Sequence, residues 1–262
     1  MHEYQITKYD QTQRDDAGRY VGSSKWTCYS DVGQKFDEKI LTLEECLRVE
    51  ALYIEAAIKL FQLSRLPYLR LTRVELYDWQ KEQIRSEGAP FFEPDFDGID
   101  FVEDAKISPE NLPTILKMIF RGYGWACLEW KDKCYIHIGW DFYMYIGLLE
   151  LDIHRLEEIS SSGLYVDANY PSPYKAFNLP TNILHIERNI IGEEGIDINY
   201  EINLSSEYLE KLKPLWGLSS EHPFLGCFQL KFEHKEMLED IIKHQFDFNT
   251  YEYFIQTVDW ID

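Results

Sequence analysis

The sequence predicts an α+β protein of two units, each a mostly antiparallel sheet packed with amphipathic helices. Segments such as "YLRLTRVELYD" (68–78) and "GIDINYEIN" (195–203) carry the period of two expected of half-buried strands. "LTLEECLRVEALYIEAAIKLFQLSRL" (41–66) carries a helical stripe with start and stop signals. The run at 125–146 reads as a three-stranded meander.

In chain order, Tyr4, Ile6 and, less cleanly, Lys8 alternate with Gln5, Thr7 and Tyr9, which predicts a first strand. A polar loop (10–25) follows, and "WTCYSDVG" (26–33) predicts a second strand closing at Gly33. Thr42 is the expected N-cap of a helix, with Glu45 completing a capping box and Leu41 and Cys46 forming a hydrophobic staple. Its apolar stripe is Leu47, Ala51, Ile54, Ile58 and Leu60 or Phe61, and Pro67 ends it soon after Ser64. The strand at 68–78 places Leu69, Leu71 and Val74 on apolar positions, and Arg73 spoils its period.

Residues 82–107 read as an excursion. A helix then starts with Ser108 as N-cap and Pro109 at its first position, turning Ile115, Met118 and Ile119 inward. The meander strands are Trp125–Trp130, Cys134–Ile138 and Phe142–Ile146, followed by a short helix at 152–160 and a strand at 163–167. The first unit closes at "YPSPY", giving domains 1–174 and 175–262. The second is expected to hold strands at 181–190 and 195–203, a helix at 205–217, a strand at 224–232, a helix at 233–245 and a closing strand at 246–258.

The charge disfavours several function classes, or else serves solubility alone. Lys and Arg number 26 against 46 Asp and Glu, a net of −20. Residues 1–174 hold 19 basic and 30 acidic groups and residues 175–262 hold 7 and 16, so neither unit escapes the acidity. Direct contact with nucleic-acid phosphates or an anionic membrane is disfavoured, and a basic protein partner is favoured. No apolar run reaches the ~20 residues of a membrane span, and the N-terminal "MHEYQITKYD" has no export leader, so a cytoplasmic protein is expected. The five cysteines include no CxxC pair, and neither cysteines nor histidines show finger-like zinc spacing, so free thiols and no cofactor or metal are expected.

Two stretches concentrate the candidates. "CYIHIGWDFYMYIG" (134–147) places Cys134 on one strand face with Ile136 and Ile138, and His137 on the other with Tyr135. A local Cys134–His137 dyad is therefore disfavoured. Tyr143 and Tyr145 share a face of the next strand, which suggests a ligand groove, a protein interface or a hydroxyl-lined rim. "FFEPDFDGIDFVED" (91–104) holds Glu93, Asp95, Asp97, Asp100, Glu103 and Asp104 among four phenylalanines, and its spacing fails that of a calcium loop. It reads equally as an acidic docking surface or a solvated loop over the core. No phosphate-binding loop, dinucleotide fingerprint, nucleophile elbow or zinc-protease motif occurs.

"YQITKYD", "SDVG" (30–33), "LTLEE", "HIGWDFYMYIG" and "SPY", in that order, resemble an uncharacterised bacterial family, some of whose members are regarded as immunity proteins of polymorphic or contact-dependent toxin systems. The resemblance covers residues 3–174 and brings no catalytic residues with it. It implies a cytosolic immunity protein whose partner is a cognate toxin domain, expected here to be a basic nuclease. The contact residues expected are Glu93, Asp95, Asp97, Asp100, Tyr135, His137, Tyr143 and Tyr145. The alternatives are a ligand-binding protein or enzyme using His137, Asp141 and the tyrosines, and an inhibitor that mimics nucleic acid.

Overall fold

A computed structural model describes residues 1–16, 19–22, 25–36, 38–175, 183–192 and 198–257. The chain divides into units Met1–Ser172 and Pro173–Asp262, two residues before the boundary read from "YPSPY". The architecture is α+β in antiparallel sheets.

The first unit comprises β1 (His2–Thr7), the short hairpin β2 (Lys35–Phe36) and β3 (Lys39–Ile40), α1 (Leu43–Ser64), β4 (Leu69–Glu75), α2 (Asp78–Glu87), β5 (Lys106–Ile107), α3 (Leu112–Phe120), β6 (Trp125–Trp130), β7 (Cys134–Ile138), β8 (Met144–Leu148), α4 (Ile153–Ser161) and β9 (Tyr165–Ala168). Seven of the strands form one sheet in the order β5-β4-β6-β7-β8-β1-β9, antiparallel throughout. The core gathers Leu71, Leu128, Ile136 and Ile146 from one face of that sheet with buried residues of α1, α3 and α4.

Helix α1 begins as its sequence dictates, because the Thr42 hydroxyl accepts the Glu45 N–H at 3.2 Å. Half of the expected capping box forms. The Glu45 carboxylate holds Arg48 at 2.8 Å instead. The buried stripe is Cys46, Val49, Tyr53, Ala56 and Ala57 with Ile54, Leu60 and Phe61 of the expected face, while Leu47 and Ile58 are half-buried and Ala51 is exposed, so the helix is rotated in part from the expected face. Polar groups on the buried side explain the rotation. The Tyr53 hydroxyl donates to the Phe142 carbonyl at 2.7 Å, and Glu50 receives Arg121.

Three other expectations are corrected. Residues 26–33 form no strand, since Asp31 accepts the N–H groups of Thr27 (2.7 Å) and Cys28 (3.2 Å) and closes a 3-10 turn at Tyr29–Asp31. Helix α3 starts later than Ser108, whose carbonyl accepts the N–H groups of Asn111 and Leu112 in a preceding turn, although Ile115, Met118 and Ile119 are buried as expected. Strand β8 starts at Met144 rather than Phe142, because Asp141 and Phe142 both take φ of 60° in the turn before it. The excursion at 82–107 holds most of α2, a helix whose one buried residue is Ile84.

The second unit comprises β10 (Ile183–Ile190), β11 (Ile198–Asn203), α5 (Ser206–Leu212), β12 (Cys227–Leu230), α6 (Lys235–Ile242) and β13 (Tyr251–Gln256). Its antiparallel sheet has the order β11-β10-β13-β12. Leu209 and Leu212 of α5 and Leu238, Ile241 and Ile242 of α6 share a core with Leu184, Ile186, Tyr253 and Ile255 of the sheet. Pro214 ends α5 short of the expected helix, and 213–216 continue as a 3-10 turn. Ile196, expected on the apolar face of β11, lies outside the described residues. Among the described residues no helix is long and apolar enough to cross a membrane.

Candidate functional site

Antiparallel register puts directly opposed residues on the same sheet face. In the large sheet this builds a polar row across six strands: Thr72, Cys127, His137, Tyr145, Gln5 and Asp167. Beside it runs a second row, Arg70, Glu129, Tyr135, Gly147 and Glu3. Both rows lie on the face away from the α1 core.

His137 is at the centre and is fully buried. Its Nε2 lies 2.8 Å from Glu129 Oε1 and its Nδ1 2.8 Å from Ser172 Oγ. Glu129 also receives the Arg73 guanidinium, and the Thr72 hydroxyl donates to its Oε2 at 3.1 Å. Arg73 reaches this position through a β-bulge, with φ of 57° and a register shift between Thr72 and Glu75. The Glu103 carboxylate accepts the backbone N–H groups that the bulge frees, Arg73 at 3.0 Å and Val74 at 2.8 Å. The residue that broke the strand period in the sequence is thus the one that supplies the cation.

Tyr135 lies flat against His137, ring centroids 4.5 Å apart, and its hydroxyl donates to Glu3 Oε1 at 3.0 Å. To get there its ring crosses β8 at Gly147, where a Cβ would stand 2.1 Å from Tyr135 Cε1. Tyr145 accepts from Gln5 Nε2 at 3.3 Å, and Arg14 closes the row with Gln5 (2.7 Å) and Asp167 (3.0 Å). The chain after β9 returns along this face. Tyr170 N–H donates to the Glu3 carbonyl at 3.1 Å, and Ser172 N–H to the Tyr135 hydroxyl at 3.4 Å.

Burial works to raise the Glu129 carboxyl, but the Arg73 guanidinium and hydrogen bonds from His137 and Thr72 prevail and hold it near 2. Burial pushes the Cys127 thiol well above its ordinary range and Tyr145 up to about 12. Hydroxyl, imidazole and carboxylate are connected in the order Ser172, His137, Glu129, the connectivity of a general-base relay. With Ser172 buried and both ring nitrogens engaged, the contacts themselves lock the returning chain onto the sheet.

These positions revise the expected contact set. Tyr135, His137 and Tyr145 are buried and bonded internally, so these three side chains are not offered to solvent. Tyr143 is half-buried against Tyr9, ring centroids 5.4 Å apart. Asp141 is exposed on its turn, and the carboxylate beside His137 is Glu129. Cys134 belongs to the core on the opposite sheet face, and the thiol beside His137 is Cys127.

The acidic stretch 91–104 sorts its side chains differently. Phe96 and Phe101 are buried, Phe96 edge-on to Tyr123 at 5.7 Å. Glu93 turns inward to Lys117 and Arg121, both at 2.7 Å. Arg121 binds Glu50 through two nitrogens (2.7 and 2.9 Å) and the Pro90 carbonyl at 2.6 Å. Glu103 and Asp104 also face inward, the latter to Arg70 at 2.5 Å. Asp95, Asp97 and Asp100 remain exposed, with Asp97 paired to Arg85 of α2. The same helix begins beside exposed Tyr77 and carries exposed Trp79, stacked with centroids 6.4 Å apart.

Trp140, 86% exposed on the β7–β8 turn, is another large apolar side chain offered to solvent. Sequence reasoning did not single out Trp79 or Trp140. The available signal was an indole set among polar or turn residues, "YDWQKEQ" and "GWD".

Residues 193–256 match the family model of a domain of unknown function, DUF7683, a stretch that spans β11 to β13 of the second unit. No curated protein and no solved structure matches the chain.

Proposed function

We propose that this chain is a cytosolic immunity protein that neutralises a cognate bacterial toxin by stoichiometric binding, with a basic nuclease domain as the partner. The observation that carries the reading is the sorting of side chains in 91–104. Buried Phe96 and Phe101 and the inward Glu93 hold the backbone, while Asp95, Asp97 and Asp100 face solvent. A preorganised acidic surface loses little entropy on docking, and a net charge of −20 steers a basic partner toward it. Exposed Tyr77 and Trp79, at the start of the helix whose Arg85 pairs with Asp97, are residue types that anchor interfaces. Nanomolar binding needs about −12 kcal/mol, within reach of an interface of roughly 1,600 Å² with a few such anchors.

The test is co-expression with the toxin domain encoded beside the gene. The expected result is rescue of growth and a one-to-one complex that weakens with added salt. Unrelieved toxicity at matched expression would sink the reading.

A further inference from the structure

Cys127 and His137 lie on the two arms of the β6–β7 hairpin, and antiparallel pairing sets them directly opposite one another. Glu129 lies two residues along β6 on the same face. A sulfur, an imidazole nitrogen and a carboxylate oxygen thereby converge within 4.8 Å of one another. Ligand atoms around a tetrahedral Zn²⁺, each about 2.0–2.3 Å from the metal, stand roughly 3–4 Å apart. The three atoms must therefore draw together by roughly 1 Å to close the set.

We propose that Cys127, Glu129 and His137 bind one Zn²⁺ ion on the polar face of the sheet, joining β6 to β7. Three further observations support this. The donor set of thiolate, imidazole and carboxylate suits zinc and not the oxygen-seeking Mg²⁺ or Ca²⁺. His137 has an outer partner in place: Ser172 Oγ sits 2.8 Å from Nδ1, while Nε2, which donates to Glu129 in the metal-free chain, faces the Cys127 and Glu129 side, so metal binding would move the ring proton to Nδ1. Two carboxylates lie by the Arg73 bulge, Glu129 paired with its guanidinium and Glu103 accepting the Arg73 and Val74 N–H groups. Arg73 competes for Glu129, but the carboxylate has lone pairs for both cations, and Glu103 beside the bulge offsets their repulsion. Binding displaces the Cys127 proton, so affinity rises with pH.

This inference is independent of the toxin-binding reading and is tested on the free full-length chain. Protein purified without chelator is expected to carry one zinc per chain by elemental mass spectrometry. After stripping, Co²⁺ titration is expected to give a thiolate-to-cobalt charge-transfer band that saturates at one equivalent and is lost in Cys127→Ser. The band is expected to persist in Cys134→Ser, on the opposite sheet face, and in Cys28→Ser/Cys227→Ser, which removes the two exposed thiols. No stoichiometric zinc together with no cobalt band overturns the proposal, as does a band that survives Cys127→Ser. Should Cys127→Ser fail to fold, X-ray absorption at the zinc edge of the wild-type chain decides. One sulfur among nitrogen and oxygen neighbours supports the site, and a shell with no sulfur or several overturns it.

Discussion

Residues 91–104 and 134–147 are both crowded with charged and aromatic side chains, yet they use them in opposite ways. The first has no strand of the large sheet within it. Its phenylalanines, Glu93, Glu103 and Asp104 turn inward, and three aspartates are left in water. The second is threaded through the middle of a seven-stranded sheet, where neighbours on both sides cover it. There Tyr135, His137 and Tyr145 find Glu3, Glu129, Ser172 and Gln5 as partners and are sealed off. Polar composition alone does not reveal exposure. A polar side chain goes where its hydrogen bonds can be met, and in a sheet the cross-strand neighbours decide that.

The sharpest way to break the comparison is to remove the anchor of the acidic loop. Arg121→Met strands Glu50 as a buried, uncompensated charge and is expected to cost about 3–5 kcal/mol in urea denaturation. On the sheet side, in protein stripped of metal, acid should expose the stabilisation carried by Glu129. Its folded value near 2 lies below the ordinary 4.5, so its contribution is complete above about pH 4.5 and is lost as pH falls toward 2. The full effect is about 3 kcal/mol, and the acid limb of a stability–pH curve should flatten in Glu129→Gln.

Gly147→Ala tests the close approach of Tyr135. A methyl 2.1 Å from the ring must displace it from Glu3, at an expected cost of about 1–3 kcal/mol by thermal unfolding. The smallest stability effect is expected at the loop surface. Asp95→Asn/Asp97→Asn/Asp100→Asn should move stability by no more than about 0.5 kcal/mol while weakening toxin binding and its salt dependence in calorimetric titrations. A large loss of stability in that triple variant would mean that the two stretches differ less than their contacts indicate.

Much of the fold was legible because local signals agreed with the final packing. The Thr42 cap, the β6–β7–β8 meander and the order of elements in the second unit all rest on periodicity and on capping chemistry within a few residues. The strand expected at 26–33 failed because Asp31 satisfies nearby N–H groups that a ladder would otherwise claim. The rotated face of α1 failed because Glu50 and Tyr53 are buried by partners far away in sequence, Arg121 and Phe142.

By itself, the sequence determined the α+β class, the acidity of both units and the separation of Cys134 from His137, since each follows from composition or from the two-residue period of a strand. Only the tertiary structure decided that Cys127 stands opposite His137, that Arg73 enters through a bulge, and that the chain at 170–172 closes over the polar face. Those outcomes depend on strand register and on contacts between distant residues. Local pattern cannot encode them, because a shift of one residue in pairing would send every side chain to the other face.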